Sequence, residues 1–227
     1  MAINDQMNRL NRQTMDFFFP RHCPFCGRTA GKELLCADCK KQLPFTGEQA
    51  VTRGTYGLCA APLFYEGKVK RAIYEYEFNR KTGGLDCFGS LMAQCAAEFY
   101  MDCFDMVTWV PVLKESGKKR RLDSNRLLAA SMCVDWHIEP VETLRKISNG
   151  SHHSESNDIS AHRIGERDQY LVLPEKIRGR RFLLINDVLT TGTVLSECVR
   201  TLCGAGAANV VCLTLARIRN ETDTDEK

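Results

Sequence analysis

Hydrophobic and polar positions change their spacing twice between Gly179 and Arg217. Phe182 to Ile185 are apolar in succession, and together with Val188 they bracket the polar pair Asn186-Asp187. The polar run Thr190-Thr191-Gly192-Thr193 follows, and then Leu195, Cys198, Val199 and Leu202 recur on one helical face until Gly204 and Gly206. A second apolar run occupies Val210 to Leu215. A short apolar run, a helical period and another apolar run predict strand, turn, helix and strand, the pattern of a parallel βαβ unit.

Upstream segments read in the same way. Val69, Ala72, Ile73 and Tyr76 share a helical face, and Leu85, Phe88, Leu91, Met92, Cys95, Ala96 and Phe99 form the clearest amphipathic stripe in the chain. That stripe is expected to pack in a core. Met106 to Val112 predicts a short strand ending in a proline turn, Leu127 to Val134 a helix, and Cys59 to Gly67 a strand and turn. The fold class expected is α/β, a parallel sheet flanked by helices.

The amino-terminal region has a different character. Met7, Leu10, Thr14, Phe17 and Phe18 predict a short amphipathic helix ending at Pro20, which reads equally as a docking helix or a partner surface. Cys23-Pro-Phe-Cys26 and Cys36-Ala-Asp-Cys39 follow, with nine residues between the pairs. Two such pairs supply four thiolates, the donor set and tetrahedral geometry that zinc prefers. A closed four-sulfur shell leaves no position for substrate, so Zn²⁺ is expected to be structural and to supply folding energy to a short segment. His22 is superfluous to that set and is expected at the surface. Lys41 to Gly57, with Pro44 and three glycines, reads as the connection to a second domain. The expected division is residues 1–50 for helix and zinc finger, 51–220 for the α/β domain, and 221–227 for an acidic tail.

Candidate chemistry lies in the turn of the βαβ unit. Ligands of open α/β sheets sit beyond the carboxyl ends of the strands, and the unpaired N–H groups opening a helix favour anions. Gly192 lets backbone approach a ligand, while Thr190, Thr191 and Thr193 add hydroxyls. A phosphate fits there, and Asn186 and Asp187 would reach vicinal hydroxyls about one sugar ring away, describing a ribose 5-phosphate site.

Composition narrows the classes. The net charge of +3 does not by itself announce a nucleic-acid binder. No apolar run approaches a membrane span, and the amino terminus lacks the apolar centre of a signal peptide, so a cytoplasmic location is expected. Of twelve cysteines, eight are scattered through apolar segments, where cysteine acts as a small buried hydrophobe. Basic residues crowd Lys114 to Arg126, and Lys176, Arg178, Arg180 and Arg181 precede the central strand. The first group reads equally as a solvated charge run or as a loop facing a diphosphate. The polar stretch 148–158, with His152-His153, is expected to be a solvated loop, and the acidic carboxyl-terminal residues a frayed tail.

The turn resembles the phosphoribosyl diphosphate (PRPP) motif of type I phosphoribosyltransferases. Asp187 matches its second acid and Thr190-Thr191-Gly192 its phosphate loop, whereas Asn186 and Val194 replace its first acid and last threonine. From Cys23 to Arg217 the order of blocks resembles the ComF family, associated with DNA uptake in competent bacteria. The blocks are the four-cysteine finger, FYEGKVKRAIYEYEFNRK, VTWVPV with its basic loop, the polar loop ending near Arg163, and the PRPP-like end. At several ligand-facing places the chain departs from that family: Glu77-Phe78 stands where Lys-Phe is usual, Arg121 to Ser124 and Glu166 depart as well, and no general base presents itself. The resemblance implies a type I phosphoribosyltransferase-like domain behind a four-cysteine zinc domain. It further implies a zinc-binding accessory protein of DNA uptake with a degenerate PRPP site, Mg²⁺ with PRPP as a second cofactor, and a DNA-uptake protein as partner. Its alternative is an active phosphoribosyltransferase on an unknown acceptor. Weak contact with single-stranded DNA is also expected, from the two basic segments, which flank elements of one sheet and so leave a shared basic face open.

Overall fold

The computed structural model describes residues 21–112, 123–134, 136–146, 162–163, 170–172, 176–220 and 223. The expected helix of residues 4–19, the cations from Lys114 to Arg121, the loop with His152-His153, and the tail other than Asp223 lie outside the described residues.

The βαβ unit forms where the spacing changes. Strand β10 (Arg181–Leu189) passes through Thr190-Thr191-Gly192 into a helix, Thr193–Gly204, and returns as β11 (Asn209–Arg217). The two strands pair in parallel from Arg181↔Asn209 to Leu189↔Arg217. Asn186 and Asp187 therefore lie inside the strand, with Val188 and Leu189 still paired beyond them, and Thr193 is the first helical residue.

Around this pair the sheet runs β3-β4-β11-β10-β6, with β5 continuing along β11 beyond β4. Here β3 is Val51–Gly54, β4 Gly57–Ala60, β5 Leu63–Phe64 and β6 Met106–Trp109. All neighbours are parallel except β3 and β4. The stretch read as a linker thus contains an edge strand and its hairpin. Ala61-Pro62 separates β4 from β5, as expected of a proline that cannot donate to the ladder.

Because strand side chains alternate, β10 and β11 feed two cores. Leu183, Ile185, Val211, Leu213 and Leu215 face one side, with helices α2 (Gly67–Asn79), α3 (Leu85–Phe99) and α4 (Ser124–Cys133). Phe182, Leu184, Val210 and Cys212 face the other. There they meet Leu195, Cys198 and Leu202 of α5 (Thr193–Gly204) and Leu144, Tyr170 and Val172 of a small antiparallel sheet. That sheet is ordered β7-β9-β8, from Leu144–Lys146, Tyr170–Val172 and His162–Arg163. The result is a mixed, largely parallel sheet with helices on both faces.

The cysteine knuckle packs against the core of the α/β sheet. It comprises β1 (Arg21–His22), β2 (Thr29–Gly31) and the short helix α1 (Ala37–Gln42). Phe25, between the first two cysteines, is 1% exposed and meets Phe88 of α3 edge-on at 5.6 Å between ring centroids. Phe88 in turn meets Tyr76 of α2 at 5.9 Å. The segment is too short for a core of its own, and it shares the main one.

At the carboxyl end, Arg217 is buried against Asp223, with ion-pair bonds of 2.6 and 2.7 Å. Its guanidinium also donates to the Gln49 carbonyl at 2.6 Å and stacks on Phe64. Asp223, read as part of a frayed tail, is therefore anchored.

Candidate functional site

The four cysteine sulfurs lie within 4.8 Å of one another. Cys26 and Cys36 approach to 3.5 Å, close to the edge of about 3.8 Å implied by a tetrahedron with Zn–S near 2.3 Å. Two backbone bonds shape the knuckle: Cys23 N–H donates to Arg28 O, and Gly27 N–H to Cys23 O, each at 2.8 Å. Cys36 caps α1 and accepts from the Cys39 N–H at 3.4 Å, which lowers its thiol to about 7. Burial instead raises the Cys26 and Cys39 thiols. All four predicted ligands converge, and the donor set fits zinc.

The second site is a cleft of about 360 Å³ at the carboxyl end of β10, lined by Tyr65, Glu77 and the run from Asn186 to Leu195. It opens where β6 stops: β6 pairs with β10 only from Phe182 to Ile185, and β10 continues four residues further beside β11 alone. Gly192, at φ +75°, caps α5, and an added Cβ would lie 2.4 Å from the Tyr56 ring. That ring is held by a hydroxyl contact of 3.2 Å to Thr52. In the neighbouring turn, Thr55 Oγ1 lies 2.6 Å from Ser196 Oγ, and Ser196 Oγ donates to Gly192 O at 2.8 Å. The β3–β4 hairpin thus buttresses the loop. Thr190, Thr191 and Thr193 are exposed, with the Thr191 and Thr193 hydroxyls 3.0 Å apart.

The two polar strand residues differ. Asp187 accepts the Val188 N–H at 2.6 Å through Oδ1. Asn186 donates from Nδ2 to Val188 O at 3.0 Å and accepts at Oδ1 from Asn125 Nδ2 at 2.9 Å. Asn125 also donates to Val110 O at 3.0 Å, so the amide orientations are mutually fixed and Asn186 ties α4 to β10. Of the pair, Asp187 alone offers a carboxylate to a magnesium ion.

Tyr65 was not predicted as a site residue, and Glu77 was expected only as a departure at a ligand-facing place of the resemblance. Tyr65 follows β5, whose carboxyl end converges on the cleft because it runs parallel to β11. Glu77 comes from α2. Burial, reinforced by the charges of Glu77 and Asp187, raises the Tyr65 hydroxyl. Tyr76 is raised by burial and then by Asp187, Asp123 and Glu77; its hydroxyl donates to Ser124 O at 2.6 Å. Asp123 caps α4 through the Arg126 N–H and accepts from Trp109 Nε1, each at 3.1 Å.

Lys176 to Arg181 precede β10 at the amino end of the sheet, whereas Pro111 and Val112 follow β6 at its carboxyl end; the cations from Lys114 to Arg121 lie outside the described residues. Arg181 is moreover paired with Asp105 at 2.6 Å, which holds that carboxyl down at about 2.

Residues 14–68 match the double zinc ribbon domain family. Over 196 residues the chain is 24% identical to the competence protein ComFC of Bacillus subtilis (strain 168), covering 86% of this chain and 77% of that protein. Among solved structures, the chain is similar to adenine phosphoribosyltransferase from Thermoanaerobacter pseudethanolicus, with TM-score 0.40, 13% identity, and 61% of this chain and 83% of that one covered. It is also similar to glutamine PRPP amidotransferase from B. subtilis, with TM-score 0.41 and 19% identity, over 62% of this chain and only 30% of that one. The allosteric regulatory enzyme of purine biosynthesis is similar at TM-score 0.40 and 17% identity, over 62% of this chain and 30% of that one. No described helix is long and apolar enough to cross a membrane.

Proposed function

We propose that this chain is a ComF-like accessory protein of DNA uptake: a zinc-stapled binding module whose cleft holds a ribose 5-phosphate group. The observation that carries the reading is the placement of Asp187 and the Thr190–Thr193 turn around one cleft of about 360 Å³. The first N–H groups of α5 and the threonine hydroxyls receive the phosphate, while Asp187 accepts from the ribose hydroxyls. Zinc serves the fold. Asn186, engaged by Asn125 and Val188, stays out of ligand binding and leaves a degenerate PRPP motif. The role in competence follows the ComFC likeness, and contact with single-stranded DNA falls to the segment between β6 and α4.

Calorimetry with ribose 5-phosphate and inorganic phosphate tests the cleft. Asp187→Ala should weaken ribose 5-phosphate binding by roughly tenfold, the loss of a charge-assisted hydrogen bond of about 1.5–3 kcal/mol, with little effect on inorganic phosphate. Equal losses for both ligands would remove Asp187 from the ribose role. Release of pyrophosphate from PRPP in the presence of Mg²⁺ and a panel of bases would replace the binding-module reading with a working phosphoribosyltransferase.

A further inference from the structure

The solvent face of α2 interleaves aromatic and cationic side chains. Tyr74 and Phe78, four residues apart, are 53% and 55% exposed, and their rings stack at 4.8 Å between centroids with a tilt of 32°. The helical period puts the exposed Lys70 and Arg71 on the same ridge, about one turn before Tyr74. Lys70 Nζ lies 6.0 Å from the ring centre of Tyr65, a residue of the cleft wall, so the ridge runs up to the rim of the cleft. Residues 67–81 hold five lysines and arginines against two glutamates, a formal +3, and +3 is also the net charge of the whole chain. The positive surplus of the protein is thus concentrated on this helix and its end. The two basic segments, Lys114 to Arg126 and Lys176 to Arg181, contain no aromatic residue.

We propose that this ridge is a base-stacking surface for single-stranded DNA, with Tyr74 and Phe78 receiving bases and Lys70 and Arg71 receiving the phosphates beside them. The inference rests on the nucleic-acid contact proposed above and gives it a second surface of a different kind, one that reads bases as well as backbone. Every base has a flat π face, so exposed rings hold single strands without regard to sequence, while flanking cations follow the backbone. A duplex keeps those faces stacked on one another and offers the rings only its backbone. An apolar protein partner is poorly served, because two half-exposed rings present about 200 Å², less than the largest patch of about 300–600 Å² on an ordinary monomer. That area suits one or two bases. A strand held on the ridge is brought by Lys70 to the rim of the cleft.

The test is fluorescence anisotropy of a labelled oligothymidylate titrated with the zinc-loaded full chain, beside an abasic strand of the same length that has the phosphates without the bases. Wild-type protein should bind the oligothymidylate about tenfold more tightly, the share of one stacked base. Tyr74→Ala with Phe78→Ala should abolish that preference and leave the salt dependence unchanged. Lys70→Ala with Arg71→Ala should keep the preference and flatten the log–log salt slope by about 0.7 per removed cation. Tyr74→Leu with Phe78→Leu keeps apolar contact without a ring and should behave like the alanine pair. Preference retained by the leucine pair would overturn stacking and mark the ridge as an apolar docking surface for a protein. Circular dichroism and zinc content show whether each variant folds, and Tyr74→Trp with Phe78→Trp should preserve the preference whatever becomes of the alanine pair. Equal affinity of the wild type for both strands would overturn the proposal. So would a preference untouched by the alanine pair but lost when Lys118, Lys119, Arg120 and Arg121 are reversed to Glu, which would assign the contact to that segment alone. Absence of binding to either strand is a different result, because it overturns the nucleic-acid reading itself.

Discussion

Replacing Gly192 by alanine adds one methyl group at the most constrained point of the candidate phosphate loop. Two separable costs follow. The residue sits at φ +75°, where a side chain on an L-residue costs about 1–2 kcal/mol. The new Cβ would also lie 2.4 Å from two carbons of the Tyr56 ring, so the ring or the loop must move. Tyr56 cannot yield easily, because its ring also presses on Gly54, where a Cβ would come within 2.6 Å, and only 9% of the residue is exposed. Overpacking of this kind costs about 1–3 kcal/mol, so the substitution should destabilise the protein by roughly 2–5 kcal/mol. Urea unfolding of the zinc-loaded protein measures the total, and a double-mutant cycle with Tyr56→Ala separates its parts. In the Tyr56→Ala background, itself weakened by the lost ring, Gly192→Ala should retain only the backbone cost of about 1–2 kcal/mol. If the substitution costs the same in both backgrounds, the ring is not the obstacle. If it costs less than about 0.5 kcal/mol in either, the left-handed turn is wrong.

Other consequences are open to direct measurement. Cys36→Ser should reduce bound zinc and, by releasing Phe25 from its place against Phe88, shift the unfolding of the whole chain rather than of the first 40 residues alone. Zinc unchanged in a variant lacking all four cysteines would end the metal assignment. Asp223→Ala leaves the buried Arg217 guanidinium uncompensated and should cost about 3–5 kcal/mol in urea unfolding. Hydrogen bonds from Arg217 lower the Asp223 carboxyl below its usual value. Its stabilisation is therefore complete above the unfolded-state pKa and is lost as pH falls through the lower folded one, so an acid titration of wild type and variant should converge.

Long segments with a single spacing were readable in advance. The β10–α5–β11 unit and the α3 stripe impose their periods over nine or more residues each, and the four cysteines carry a metal's geometry in their separations. Tertiary convergence hid the rest. Asn186 lines the cleft beside Asp187, but its tie to Asn125, 61 residues away on α4, could not be read from its own neighbours. Glu77 could be placed toward a ligand only through the family resemblance, since nothing in its own helix links it to Asp187. Val51–Gly54 is short and ends in glycine, so its strand character comes from pairing with β4 rather than from its own residues.

The burial of Phe25 in the main core also sets an order of events during synthesis. The knuckle is complete once Cys39 has emerged, but its aromatic socket on α3 is not finished until Phe99, about 60 residues later. At roughly 5–20 residues per second, that is an interval of about 3–12 s. For those seconds the loaded metal is what holds Phe25 in a defined position, solvent-facing and ready. A nascent chain short of zinc would meet its own α3 with a disordered partner, leaving Phe88 and Tyr76 uncovered on the ribosome.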